Sequence, residues 1–137
     1  MKYFYGHCWL CVILLIFATS LRAGDGWYLL IPPRSEFNER ADYLSGYKIL
    51  DNKPLPQWGQ QGGYDSASVC EAVKHNFLMA EQRVYASSSE AYVKAIGERT
   101  DPVALKMQRL RTEASNANVL AFMASRCIRS NDPRLRQ

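Results

Sequence analysis

The sequence is poor in the residues that build most catalytic and metal sites. It contains two histidines and four cysteines in 137 residues. A closed zinc site needs four nitrogen or sulfur ligands, and a serine nucleophile needs a base that a third group orients. No G-x-S-x-G motif is present, and the glycines of "GQQGG" are not followed by Lys and Ser or Thr. The sequence therefore indicates no catalytic residue, no metal site and no cofactor.

Long apolar runs are also missing. The apolar run at residues 8–18 has about half of the roughly 20 residues that a membrane-spanning helix needs. Lys2 precedes it and small and polar residues follow it, which is the pattern of a secretory signal peptide. We expect cleavage between Ala23 and Gly24, with a cut three residues earlier as the alternative. Residues 1–23 are thus predicted to be a signal peptide.

The stretch "HCWLC" at residues 7–11 has the C-x-x-C spacing of redox and metal sites. Its position favours a different interpretation, in which Cys8 and Cys11 serve as small apolar residues of the export segment and are discarded. The alternative keeps the N-terminal segment as an inner-membrane anchor. In that case, the two thiols could still form a redox or metal site.

Residues 24–137 are predicted to form a single small exported domain. Loss of Lys2 and Arg22 lowers the basic count from 17 to 15 against 13 acidic residues, which is too mild an excess to indicate nucleic-acid binding. Most of the charged residues among the last 30 positions are arginines. We interpret them as a solvated surface, with an anionic lipid, lipopolysaccharide or an acidic partner as the alternative.

Two cysteines remain after cleavage, Cys70 and Cys127. In an oxidising compartment, a lone pair in a small domain usually forms one disulfide. The sequence therefore predicts a Cys70–Cys127 bond, with two buried free thiols as the alternative.

Three short strands are expected. "GWYLLIPP" predicts a strand from Trp27 to Ile31 that the two prolines end. A second strand is predicted around residues 57–61, with Trp58 as its core anchor. Residues 119–128 fit either a helix or a strand, and we predict a strand because two asparagines interrupt the preceding helix.

Two or three helices complete the predicted fold. The first begins at Asp65 or at the Ser68 capping box and runs to about Tyr85, with an apolar stripe of Val69, Val73, Phe77, Ala80 and Val84. A short helix is expected between Ser88 or Ser89 and Gly97. A further helix starts at Asp101 and Pro102, with a stripe of Val103, Met107, Leu110, Ala114 and Ala117. The prediction is an α+β fold with a short antiparallel sheet of two to three strands packed against two to three helices.

Candidate acid-base residues are few. Glu36, Glu39 and Asp42 lie in one irregular acidic stretch, and Asp25 is near it in sequence. Paired carboxylates of this kind can hydrolyse glycosides, but they are also common on any protein surface. His75 lies two positions after Val73 and two before Phe77, which turns its side chain away from the apolar stripe. It is therefore predicted to be an exposed helical residue.

Three patches resemble a loose class of uncharacterised small exported bacterial proteins: "GWYLLIPP", "YDSASVCEA" and "SRCIRSNDPRL". Members pair an N-terminal Trp-containing strand with two cysteines and a terminal Arg-Cys stretch before Asp-Pro-Arg-Leu. The resemblance implies export and a disulfide, and it transfers no catalytic residue.

We expect a non-enzymatic binding or structural module of the bacterial cell envelope, either periplasmic or secreted. Its expected partner is an envelope protein or an anionic surface, with no nucleic acid and only transient membrane contact through the signal peptide. Two alternatives remain open. One is an envelope hydrolase that uses the loop carboxylates, and the other is an inner-membrane protein whose N-terminal helix is not cleaved.

Intact mass after expression in a fractionated bacterial host tests the processing. We expect a released species that begins at Gly24, with two alkylatable thiols that appear only after reduction. A full-length species in the membrane fraction, with Cys8 and Cys11 reactive, would support the anchored alternative instead.

Overall fold

A computed structural model of the protein describes residues 26–38, 46–98 and 100–136. The predicted signal peptide, residues 1–23, and its cleavage point at Ala23 and Gly24 lie outside these residues.

Three strands form one antiparallel sheet within the described residues: β1, Trp27–Ile31; β2, Gly59–Tyr64; and β3, Arg126–Arg129. Their order is β2-β1-β3, so that the first strand lies in the centre. The predicted bounds of β1 are confirmed. The second strand begins two residues later than predicted because residues 55–57 form a turn of 3-10 helix that ends at Trp58.

Two long helices fill the middle of the chain: α1, Ala67–Gly97, and α2, Pro102–Ala124. Ser66 caps α1, because its Oγ accepts a hydrogen bond from the Val69 backbone N–H at 3.2 Å. Neither predicted cap, Asp65 or Ser68, has this role. At α2 the prediction is confirmed, since the Asp101 carboxylate accepts from two backbone N–H groups and Pro102 takes the first position.

The predicted end of the first helix near Tyr85 is wrong, and so is the separate short helix after Ser88. α1 continues unbroken through its three consecutive serines. Gln108 Nε2 and Thr112 Oγ1 of α2 donate to the backbone carbonyl of Ser88, at 3.2 and 3.0 Å. Serine has a low helix propensity, so the three serines alone would favour a break in the helix. The contacts from α2 are made at this site, where α1 remains helical.

The predicted apolar stripes match the buried faces of the helices only in part: Phe77 packs against Phe122 and Ala117 is fully buried, but other members are exposed. Val84 is 51% exposed and Val103 is 70% exposed. On α1 the buried or half-buried positions include Cys70, Phe77, Glu81, Tyr85, Ser88 and Tyr92. Inward positions of α2 recur at spacings of three and four residues, at Leu105, Gln108, Thr112, Ser115, Val119 and Phe122, with Ala117 and Ala121 buried beside them. Such spacing is typical of helices that cross at a small angle. Several of these inward positions are polar, which is why apolar periodicity identifies the buried faces only in part.

The strand predicted at residues 119–128 is correct only at its end. α2 extends to Ala124, and β3 begins at Arg126. Between them Ser125 is buried, and its Oγ donates to the Phe122 carbonyl at 2.6 Å. The helix continues because Val119, Ala121 and Phe122 are all buried.

The two faces of the sheet are covered differently. On one face, Leu29 is fully buried and pairs with Cys127, which is bonded to α1. Side chains alternate along a strand, and Leu30 therefore faces the opposite side, where it packs with the other members of an apolar cluster, Leu55, Trp58 and Ile128. The helices thus cover one face and the 3-10 segments cover the other.

The predicted α+β fold is confirmed, with a three-stranded antiparallel sheet, two helices and a Cys70–Cys127 disulfide in the described residues. The two Cα atoms of the disulfide are 6.0 Å apart. No helix among these residues has the length and hydrophobicity required to cross a bilayer.

Removal of the disulfide is expected to destabilise the fold strongly. The bond closes a loop across a sequence separation of 57 residues, for which chain entropy gives about 4 kcal/mol. We expect the Cys70→Ala/Cys127→Ala variant to lose about that much free energy of unfolding in urea. Reductant should lower the stability of the wild type and leave the double variant unchanged. Equal urea midpoints for the two proteins would contradict this role.

Candidate functional site

A concave surface lies between the sheet and the helix pair. We call it the sheet–helix groove. It encloses about 300 Å³, and its lining includes Ile31, Gln61, Phe77, Glu81, Asn118 and Phe122. Three secondary-structure elements and the end of β1 meet here. Ligand sites are commonly found in such clefts between packed layers.

The floor of the groove is aromatic. Phe77 of α1 and Phe122 of α2 stack with ring centroids 5.4 Å apart and planes inclined by 16°. Ile31, at the end of β1, lines the same space. This floor offers an apolar group a surface against which it can leave water.

The rim of the groove is polar and carries both signs of charge. The amide of Asn118 connects the two charges: its Oδ1 accepts from Arg34 Nη1 at 2.6 Å, and its Nδ2 donates to Glu81 Oε2 at 3.0 Å. Among the described residues, Glu81 takes part in no ion pair. The rim therefore presents a fixed carboxylate beside an apolar floor.

A short arm between β1 and β2 holds Arg34 at the rim. Residues 33–38 and 46–50 run antiparallel, joined by backbone hydrogen bonds such as Ser35 N–H to the Lys48 carbonyl at 2.9 Å. Gly46 is in the left-handed region, with φ of 61°, and a Cβ there would collide with the Phe37 ring. Glycine at position 46 thus permits the arm to lie close over α2.

A second depression, of about 370 Å³, lies beside Trp58 on the other side of the molecule. The Arg126 guanidinium stands 5.2 Å from the Trp58 ring centroid. At its edge the Arg134 side chain and backbone N–H donate to Asp132, which lowers the pKa of this carboxyl to about 2 from 3.8. Any stability from this pair is present above pH 3.8 and is lost as the pH falls to about 2.

The basic C-terminal stretch is engaged with the protein's own side chains. Besides the Arg126 and Arg134 contacts, Arg129 stands 5.6 Å from the Trp27 ring centroid. The guanidinium groups of Arg126 and Arg129 thus lie over tryptophan rings, where a cation is attracted to the face of the ring.

Two of the sequence-derived candidates lie among the described residues, on different elements. Glu36 is exposed on the arm and His75 is exposed on α1, whereas Asp25, Glu39 and Asp42 lie outside the described residues. Across the part of the chain that the structure describes, no three His, Cys, Asp or Glu side chains are placed to hold a metal ion.

Sequence reasoning places Phe77 on an apolar face of the first helix but misses the polar residues of the groove. Glu81 was assigned to no site, and Asn118 was interpreted only as a helix interruption. The signal that finds Glu81 is its four-residue spacing from Phe77, which places the two side chains on one face of α1. Arg34 is brought to Asn118 by the arm, and no local pattern indicates that contact.

The fold and the groove define a small disulfide-bonded α+β protein with a mixed apolar and charged cleft. No protein-family model, curated protein or solved structure matches this chain. Its function must therefore be argued from its own residues.

Replacement of Asn118 tests the rim. We expect Asn118→Ala to lower the free energy of unfolding by about 1 kcal/mol, because the bonds to Arg34 and Glu81 are both lost. Asn116→Ala, two positions away on α2 and outside this set of bonds, is the matched control. Urea denaturation measures both variants, and an equal effect of the two would argue against the rim network.

Proposed function

We propose that this protein is an exported, non-enzymatic binding module of the bacterial cell envelope, and that the sheet–helix groove is its binding site. The single observation that carries the proposal is the pairing of the Phe77–Phe122 floor with the Glu81 carboxylate. Binding sites typically combine an apolar surface with a few oriented polar groups.

The disulfide supports the exported location. Disulfides persist in oxidising compartments such as the periplasm and are rare in the cytosol. Cys70 is fully buried, and its bond to Cys127 ties α1 to the sheet beside the groove. A covalently fixed cleft loses little conformational freedom when a ligand binds.

The groove favours binding over hydrolysis. Glycoside hydrolysis by side chains needs two carboxyl groups that flank the scissile bond. Among the groove residues that the structure describes, Glu81 is the only carboxylate, and Asn118 already donates to one of its oxygens. This arrangement suits recognition of a cationic or hydrogen-bonding group.

Site-specific photocrosslinking in living bacteria tests the proposal. The full-length chain carrying Gln61→p-benzoylphenylalanine places the crosslinker in the groove, and Glu90→p-benzoylphenylalanine places it on an exposed position of α1. We expect an adduct with an envelope component from position 61 and none from position 90, with the protein recovered in the envelope or secreted fraction. A protein that stays in the cytosol, or equal adducts at both positions, would contradict the proposal.

A further inference from the structure

We propose that β2 is a docking edge for an extended peptide, which joins the sheet as a fourth strand. In this arrangement the peptide seats an apolar side chain on the Phe77–Phe122 floor and a basic side chain on Glu81. This inference rests on the proposed function and names the class of partner for the same groove.

One edge of β2 is free: in the described part of the chain β2 pairs with β1 alone. Its sequence, GQQGGY, contains no charge and no proline, whereas natural edge strands are commonly protected by these residues. The opposite edge, β3, is protected in this way by exposed Arg126 and Arg129. The β2 edge thus lacks the charges that protect the β3 edge, and its protective feature is a bulge in its pairing with β1.

The second observation is that this free edge borders the groove. Gln61 belongs to β2 and lines the same space as Ile31 and the stacked rings. A bulge interrupts the pairing of β2 with β1 between Leu29 and Leu30, so that Gln61 is the additional residue. A strand added beside β2 would therefore place alternate side chains over the groove.

The third observation concerns spacing and charge. Phe77 and Glu81 are four residues apart on α1, which separates them by about 6 Å. Side chains at positions i and i+2 of an extended peptide share one face and are about 6.8 Å apart. An apolar residue followed two positions later by Lys or Arg matches this pattern, and the cation would complement a carboxylate that has no ion-pair partner among the described residues.

A second copy of this chain is the less favoured occupant. Its own β2 would supply glycines, glutamines and Tyr64 to the interface. Such a strand has no basic side chain for Glu81 and leaves the aromatic floor largely unfilled. The groove is therefore better matched by a peptide of a different sequence.

Fluorescence anisotropy with purified oxidised protein tests the strand geometry. The probe is a labelled, end-blocked heptapeptide of alternating Val and Thr with a central Phe and a Lys two positions later. Two further peptides carry N-methyl groups on either the odd or the even backbone nitrogens. Alternate N–H groups of a strand point to opposite sides, so we expect one methylated peptide to bind like the parent and the other about tenfold or more weakly.

Variants of the protein test the charge. We expect Glu81→Gln, which keeps a hydrogen-bond acceptor for Asn118, to lower the affinity for the lysine peptide about fivefold. A peptide with norleucine in place of lysine should bind wild type and variant equally. Glu90→Gln, an exposed change on the same helix, is the matched control and should leave both affinities unchanged.

Three results would overturn the peptide proposal. One is no saturable binding of the probe, the second is equal binding of both methylated peptides, and the third is a dimer in light scattering that Gln61→Lys dissociates. If position 61 still crosslinks to an envelope component while any of these results holds, the binding function stands and only the strand-addition inference fails. Failure of export or of crosslinking, with normal peptide binding in vitro, would reject the envelope function alone.

Discussion

The disulfide between Cys70 and Cys127 is the constraint on which the arrangement of the helices and sheet depends. Cys70 lies in the first turn of α1, and Cys127 lies within β3. The bond therefore fixes the base of the helix pair to one side of the sheet. α1 has 31 residues and is about 46 Å long, more than twice the length of a six-residue strand. A helix of that length needs a firm attachment at its base if residues further along it are to be positioned precisely over a sheet.

The interior of the helix pair contains polar groups where an apolar seam is usual. Ser88, Gln108 and Thr112 meet across the two helices through hydrogen bonds to one carbonyl. Polar residues at such positions cost stability but specify which parts of two helices meet. Here they set the register of α1 against α2, and that register brings Phe77 to Phe122 and Glu81 to Asn118.

The parts of the fold that sequence predicts are those with local physical causes. Chain chemistry within a few residues predicts the strand before two prolines and the Asp101 cap with Pro102. The pairing of the last two cysteines follows because no other cysteine remains after the predicted cleavage. The errors arise where contacts with residues distant in sequence determine the local structure. α1 passes through three serines with support from α2, and Val84 remains exposed although it lies on the stripe that periodicity selects. The groove depends on contacts such as Arg34 with Asn118, for which the sequence carries no local signal.

The position of β1 has a consequence for the order in which the structure can form. The first strand among the described residues, β1, lies in the centre of the sheet, and its Trp27 pairs with Arg129 of β3. Contacts between such distant parts of a chain form slowly, because a long loop must close before they are made. Neither the sheet nor the disulfide can therefore be completed until the C-terminal residues are present. Until those residues have been synthesised the polypeptide lacks one edge strand of its sheet and Cys70 lacks its disulfide partner, so the N-terminal part of the described chain cannot complete its fold ahead of the rest.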